Sequence, residues 1–278
     1  MPSNNSRTVQ RMIKDAVKTG LRKFGGYEIV KPQLNAERRH VHFRSLIDLV
    51  ADRAIYSDRE WAFLSYCAAN LDKTRAQCFQ DLFVLFELEQ KSDGFFVEFG
   101  AASGVAISNS YLLEKEYNWK GILSEPAHCW REGLEKCRTA KLDFRCVWSE
   151  SGRELQFHEH PIGELSTLAS FNSDEKSYNI KDSGTEYTVS TVSLNDLLEE
   201  NSAPCQIDYL SIDTEGSELE ILSNFNFSRH DIKIITVEHN YVIENRQAIY
   251  DLLARHGYNR VFEHFSAWDD WYVRRCQK

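Results

Sequence analysis

Three places in the chain gather residue types that handle ligands or protons. Val97-Glu98-Phe99-Gly100-Ala101-Ala102-Ser103-Gly104 carries an apolar run into a glycine turn with an acid at its mouth. Gly100 and Gly104 let the backbone turn tightly and approach a ligand that a Cβ would exclude. Ile207 to Ile212 runs into Asp213, Thr214, Glu215 and Gly216, and Ile232 to Val237 runs into Glu238, His239 and Asn240. Acids and a histidine at the ends of two apolar runs suit hydrogen bonding to a hydroxylated ligand and removal of its proton. The same oxygens suit a hard divalent cation.

The spacing of the glycine turn narrows its ligand. A dinucleotide fingerprint, G-x-G-x-x-G, puts its second glycine where a pyrophosphate meets a helix N-terminus. Here the pattern is E-x-G-x-x-x-G, with Ala102 in the middle position. Glu98 repels a pyrophosphate and suits the ammonium end of a methionine moiety, directly or through water, so the spacing favours S-adenosylmethionine. About one βαβ unit downstream, Gly121-Ile122-Leu123-Ser124 ends in Glu125-Pro126. A carboxylate at that strand tip can accept from both ribose hydroxyls, and the proline stops the strand. Asp143 to Ser149 reads as a third strand whose end borders an adenine, with Trp148 as a stacking candidate beside the backbone of Val147 and Ser149.

Elements that position these groups follow from the hydrophobic pattern. Gly94–Phe99 reads as a buried strand and Val105–Tyr117 as the helix after the turn; a helix carrying Leu219, Ile221 and Leu222 follows Gly216. Alternation over Glu154–His160 and Tyr187–Val192 predicts an inserted hairpin or edge extension. Parallel strands end on one side of an open sheet, so the clusters after Ile212 and Val237 should converge.

In this order, FFVEFGAASGVAISNSYLLEK, WKGILSEP, IDYLSIDTEGSELEIL, ITVEHN and WDDWYV make the chain from about Asp93 onward resemble the FkbM-type methyltransferases, closest to the branch found with sugar- and polysaccharide-modifying enzymes. The resemblance implies an α/β class I methyltransferase fold, a seven-stranded mostly parallel sheet with helices on both faces. It implies S-adenosylmethionine-dependent O-methylation. Glu98, Gly100 and Gly104 match the first cofactor motif, with Ala101, Ala102 and Ser103 between them; Asn109 matches a polar residue of the next helix, and Glu125 the ribose acid. Asp213, Glu215 and Gly216 match the D-x-E-G signature. Ala102-Ser103 departs from relatives that carry a polar or acidic residue beside the second glycine; Ser103 is the remaining donor there.

For the chemistry, His239 is the expected base, because an imidazole titrates near ~6.5 and follows a strand that faces the crevice. Glu238 or Asp213 orients it or replaces it. Asp213, Glu238 and His239 form the candidate seat for Mg²⁺ or a similar ion. Ser166, Thr167, Glu215, Asn240, Trp268 and Asp269 are the candidate acceptor contacts, since an aromatic face beside carboxylates suits a pyranose. The expected acceptor is a sugar hydroxyl of a glycan or glycolipid precursor. The alternatives are a small-molecule or lipid O-methyltransferase and a non-catalytic partner with the same fold.

Composition bounds these readings. The 278 residues, 42% hydrophobic with five prolines, suit one large α/β domain plus an extension. Formal charge is -9, against a general nucleic-acid binder. Seven scattered cysteines without a C-x-x-C pair favour neither zinc nor a disulfide framework and suit a reducing cytoplasm. The expected divisions are 1–30, a basic amphipathic segment; 31–92, a helical cap; and 93–278, the methyltransferase domain. Residues 7–24 hold six basic residues interleaved with apolar ones. This pattern suits packing on the protein or a second subunit, or contact with the inner face of a membrane.

Overall fold

The computed structural model describes residues 56–171 and 184–275, which places residues 7–24 and the 31–55 part of the expected cap outside the described residues. The chain divides into two compact units, Met1–Thr74 and Arg75–Lys278. The first contributes α1 (Asp58–Ala69), whose start is fixed by a capping box between Ser57 and Glu60. The second unit begins ahead of the expected boundary at 93, because α2 (Gln80–Glu87) belongs to it.

The second unit continues with β1 (Phe95–Phe99), α3 (Tyr111–Tyr117), β2 (Lys120–Ser124), α4 (His128–Cys137), β3 (Lys141–Asp143), β4 (Cys146–Trp148), β5 (Glu154–Glu159), β6 (Thr167–Leu168) and β7 (Thr185–Ser193). It ends with α5 (Leu194–Glu200), β8 (Gln206–Ile212), α6 (Glu218–Ser223), β9 (Asp231–Glu238), α7 (Ile243–Arg255), β10 (Tyr258–Val261) and β11 (Asp269–Arg274). The result is an α/β fold with a seven-stranded sheet of order β10-β11-β9-β8-β1-β2-β3. The sheet is mixed: β11 runs antiparallel to both its neighbours, β9 and β10, while β9, β8, β1, β2 and β3 pair parallel.

A second sheet, β4-β7-β5-β6, contains the expected hairpin, with Glu154 opposite Ser190 and Glu159 opposite Thr185. The expected single strand over 143–149 is split. Asp143 closes β3 by accepting from the Arg145 backbone N–H, and β4 then pairs with β7 in the other sheet. The core lies between the main sheet and its helices, where Val97, Ile122, Leu210, Ile235, Leu253 and Tyr272 are buried together. On α2, Phe83 stacks on Trp271 with ring centroids 4.5 Å apart.

Register is what assembles the site. Phe99 pairs with Ser124 on one side and Ile212 on the other, Ile212 pairs with Val237, and Asp269 pairs with Glu238. The ends of five strands therefore lie level, and the residues that follow them, Gly100, Glu125, Asp213 and Glu238 among them, are brought to one edge.

Candidate active site

A pocket opens at that edge. Of the expected cofactor contacts, Gly100, Ala102, Glu125, Pro126, Val147 and Asp213 line it; Ser166 and Glu215 line it among the expected acceptor contacts. Phe99, Ile107, Cys146, Phe157 and Leu168 add apolar wall, and Ser124, Glu164, Thr214 and Ser217 add polar groups. Sequence reasoning passed over most of these, because Phe157 and Leu168 arrive from the second sheet and their approach depends on its folding over the first.

Glu125 is built into the backbone around it. Its carboxylate accepts from the Ala102 N–H and the Ala127 N–H, each at 2.9 Å. Burial pushes its pKa up to about 7; those two N–H groups oppose the rise and the carboxylates of Glu159 and Glu164 add to it. Each oxygen keeps a lone pair for a ligand hydroxyl.

The glycines serve the fold. Gly100 has φ 69°, and a Cβ there would collide with the Asp213 carbonyl oxygen, so glycine lets the ends of β1 and β8 meet. Gly104 has φ 68°, and its missing Cβ would fall on Leu134 of α4. Ser103 accepts from the Ala106 N–H and closes the turn instead of lining the pocket. The expected helix over 105–117 begins at Tyr111: Ile107 takes φ 55°, and residues 108 to 110 are drawn onto Glu98.

Glu98 is buried and faces this loop. It accepts from the Asn109 N–H at 2.8 Å and from the hydroxyls of Ser108 and Ser110, with the Arg138 guanidinium 3.9 Å away. It does not line the pocket, which corrects the expected direct contact with a ligand ammonium. Burial raises its pKa while Arg138 opposes the rise. Asn109 is buried too; its Nδ2 donates to the Ser211 hydroxyl at 2.9 Å, and its Oδ1 has no hydrogen-bond partner. Ala101, Gly104, Asn109, Trp148 and Ser149 stand outside the lining, Asn109 two residues beyond Ile107 of the wall; Trp148 packs on the apolar cluster of Cys146, Phe157 and Val189.

Beside the pocket, Asp213, Glu215 and Glu238 each place one carboxylate oxygen within 4.8 Å of the others. Burial raises the Asp213 pKa well above the usual range, and the neighbouring charges of Glu238 and Glu215 and a hydrogen bond to Glu238 push it the same way. Asn240, at φ 47°, donates its Nδ2 hydrogens to Glu238 at 2.7 Å and to Glu215 at 3.1 Å. Thr167 donates to the Glu215 carbonyl at 3.2 Å. Glu218, unassigned from sequence, holds the D-x-E-G turn by accepting from the N–H groups of Thr214 and Gly216, and burial pushes its pKa up to about 7. The E-G-S-E spacing is its only sequence signal.

His239 stands apart from that cluster. Its Nδ1 accepts from the Tyr241 N–H at 3.0 Å, so Nε2 carries the proton and donates to the Asp269 carbonyl at 3.0 Å. Burial lowers its pKa to about 4. With both ring nitrogens engaged, the geometry gives His239 a structural place, correcting its expected roles as base and metal ligand; Glu215 takes its place in the oxygen set. Trp268 and Asp269 are buried and outside the lining, and Asp269 accepts from Gln80. They offer no exposed platform for a pyranose.

Residues 98–260, more than half of the chain, match the family model for the methyltransferase FkbM domain. No protein in the curated set compared with the sequence matches it. Among solved structures, the chain is similar to methyltransferase FkbM from Methylobacillus flagellatus KT, with 11% identity, a TM-score of 0.45, and coverage of 84% of this chain and 58% of that one. It is also similar to precorrin-6y C5,15-methyltransferase from Geobacter metallireducens GS-15, with 16% identity, a TM-score of 0.35, and coverage of 65% of this chain and 72% of that one.

Proposed function

The chain belongs to the FkbM methyltransferase family, and on that premise we propose that it moves a methyl group from S-adenosylmethionine to a hydroxyl of a sugar. The observation that carries this reading is the carboxyl row at the strand ends, with Glu125 at one end of the pocket and Asp213 and Glu215 at the other.

The residues present fit the cofactor. Glu125 keeps acceptor capacity for the two ribose hydroxyls, and Phe99, Val147, Phe157 and Leu168 supply apolar wall for a base. Asn109 Oδ1 is a buried acceptor without a partner, suited to an ammonium hydrogen. Among the described residues no lysine or arginine lines the pocket, as a cationic sulfonium requires. When bound, S-adenosylmethionine supplies an electrophilic methyl carbon.

The chain's own residues hold the acceptor and take its proton. Glu215, Ser166 and Ser217 line the pocket as hydrogen-bonding groups for a polyol. A polyol fits this lining better than the wholly apolar wall that a lipid or polyketide acceptor favours. A hydrogen bond joins the Asp213 and Glu238 carboxyl groups, and burial raises the proton affinity of Asp213. As the acceptor oxygen bonds to the methyl carbon, its proton passes to an ionised carboxylate oxygen of Asp213, whose raised proton affinity suits it to take that proton. Alignment supplies much of the acceleration. The oxygen set of Asp213, Glu215 and Glu238 has the donor chemistry for Mg²⁺, which would lower the hydroxyl's pKa.

The test is incubation with methyl-labelled S-adenosylmethionine and a panel of free, nucleotide-linked and lipid-linked sugars, with magnesium and after chelation. Label recovered on a sugar oxygen is the expected result. Binding of S-adenosylmethionine with transfer only to apolar phenols or lipids would remove the sugar assignment, and no binding at all would remove the cofactor.

A further inference from the structure

The side chain of Arg138, at the C-terminal end of α4, is fully buried, and its guanidinium is spent on α3 and the loop that leads to it from β1. Its Nη1 donates to the Gly104 carbonyl at 2.9 Å and the Ser108 hydroxyl at 3.1 Å, its Nη2 to the Ser110 hydroxyl at 2.8 Å, and its Nε to Glu114 at 2.9 Å. The guanidinium carbon also lies 5.6 Å from the Phe96 ring centroid and 5.8 Å from that of Tyr111. Glu98 grips the same loop from the strand side through Ser108, Ser110 and the Asn109 N–H. The stretch from Gly104 to Ser110 is therefore clamped between an anion at the end of β1 and a cation at the end of α4. It carries Ile107 of the pocket wall and the unpartnered Asn109 Oδ1.

We propose that Arg138 is a positioning residue for cofactor binding: with Glu98 it sets the loop so that Asn109 presents its amide oxygen to the methionine end of S-adenosylmethionine. This rests on the cofactor reading above. A buried pair of this kind is hard to break from one side, because removing one partner leaves the other charge uncompensated. Arg138 opposes the burial that raises the pKa of Glu98, and at Glu114, where burial is again the largest influence, Arg138 together with Lys115 and the Thr139 N–H holds the pKa low. Without the guanidinium, Glu98 takes up a proton more readily and loses acceptor capacity for the loop.

The experiment compares the full-length wild type, Arg138→Met, Arg138→Lys and the double variant Arg138→Met with Glu98→Gln. Calorimetric titration with S-adenosylmethionine runs at several pH values beside thermal melting, and hydrogen exchange follows residues 104–110. Arg138→Met should weaken binding by about tenfold, the worth of one lost ligand hydrogen bond. Its affinity relative to wild type should fall further as pH drops, and exchange should rise in the loop. The double variant should lose that extra pH dependence, whereas a merely structural role would lower the melting temperature without it. Arg138→Lys keeps the charge but lacks the planar fork; it should bind with intermediate affinity and supplies the reading should the methionine variant not fold. A folded Arg138→Met or Arg138→Lys with wild-type affinity and exchange overturns the proposal alone. A wild type that binds no S-adenosylmethionine overturns the functional reading and this proposal with it.

Discussion

Glu125 ties ligand binding to pH in a way that can be worked through. Its carboxyl is held near pKa 7 where the ordinary value is 4.5, chiefly by burial and with Glu159 and Glu164 contributing. At about 1.4 kcal/mol per decade of proton affinity, the folded protein bears about 3 kcal/mol for keeping Glu125 ionised. The sign follows from the raised value: relative to the ionised form, the proton on Glu125 stabilises the fold in full below pH 4.5, and that contribution is lost as pH rises to about 7. Ribose hydroxyls donate best to the ionised form, so binding in the acid range must first release a proton. A group with pKa 7 is about nine-tenths ionised at pH 8 and about one-tenth at pH 6, which predicts a roughly tenfold weakening of nucleoside affinity between those values. The suitable probe is methylthioadenosine, which keeps the ribose and has no amino group titrating in the same range. Glu125→Gln should weaken binding by about tenfold to a hundredfold at pH 8 and flatten the profile. A flat wild-type profile, or a Gln variant that keeps the wild-type slope, would refute the assignment of Glu125 to the ribose.

Asp213→Asn should lower turnover by about a hundredfold or more with little change in S-adenosylmethionine affinity; steady-state kinetics beside calorimetry would expose any other outcome. His239, with its pKa lowered to about 4, favours the fold above its ordinary 6.5 and loses that contribution as pH falls toward 4. Thermal melting of His239→Asn should therefore show a lower melting temperature at pH 7.5 and a weaker decline on acidification, while the pH profile of turnover keeps its shape. Gly100→Ala should fail to give a cooperative melt, whereas Gly152→Ala, at φ 77° with open space around it, should lose only about 1 to 2 kcal/mol in denaturant titration. Trp268→Phe, at a buried position outside the pocket lining, should leave the acceptor KM unchanged.

The strands were legible because each is a run of one hydrophobic period. Phe95–Phe99, Gln206–Ile212 and Asp231–Glu238 fall close to where the apolar runs lie, and the parallel rule then brings Glu125, Asp213 and Glu238 to one edge. The stretch before α3 misled for a physical reason: Val105 and Ile107 fit a helical pattern, yet Glu98 competes for the N–H of Asn109 and the hydroxyls on either side of it. Arg138 was illegible, since its partners stand 24 to 34 residues earlier and no local spacing announces a buried guanidinium. His239 and Trp268 were overread for the opposite reason. Their chemical types suggested ligands, but the backbone of β11 and the loop after β9 had already claimed the imidazole, and the indole is buried.

Gly100, Gly104, Glu98 and Glu218 share a property that bears on how this lineage would decay. Each is required by contacts internal to the fold: glycine where strand ends meet, glycine above Leu134, and two carboxylates that tie down loops. Selection for folding alone would keep all four in a descendant that had abandoned methyl transfer. Asn109 Oδ1 has no such internal duty, and the gathering of Asp213 beside Glu215 and Glu238 serves the proposed chemistry more than the fold. A retired copy of this protein would therefore keep the familiar glycine motif and betray itself first at Asn109, Asp213 and Glu238.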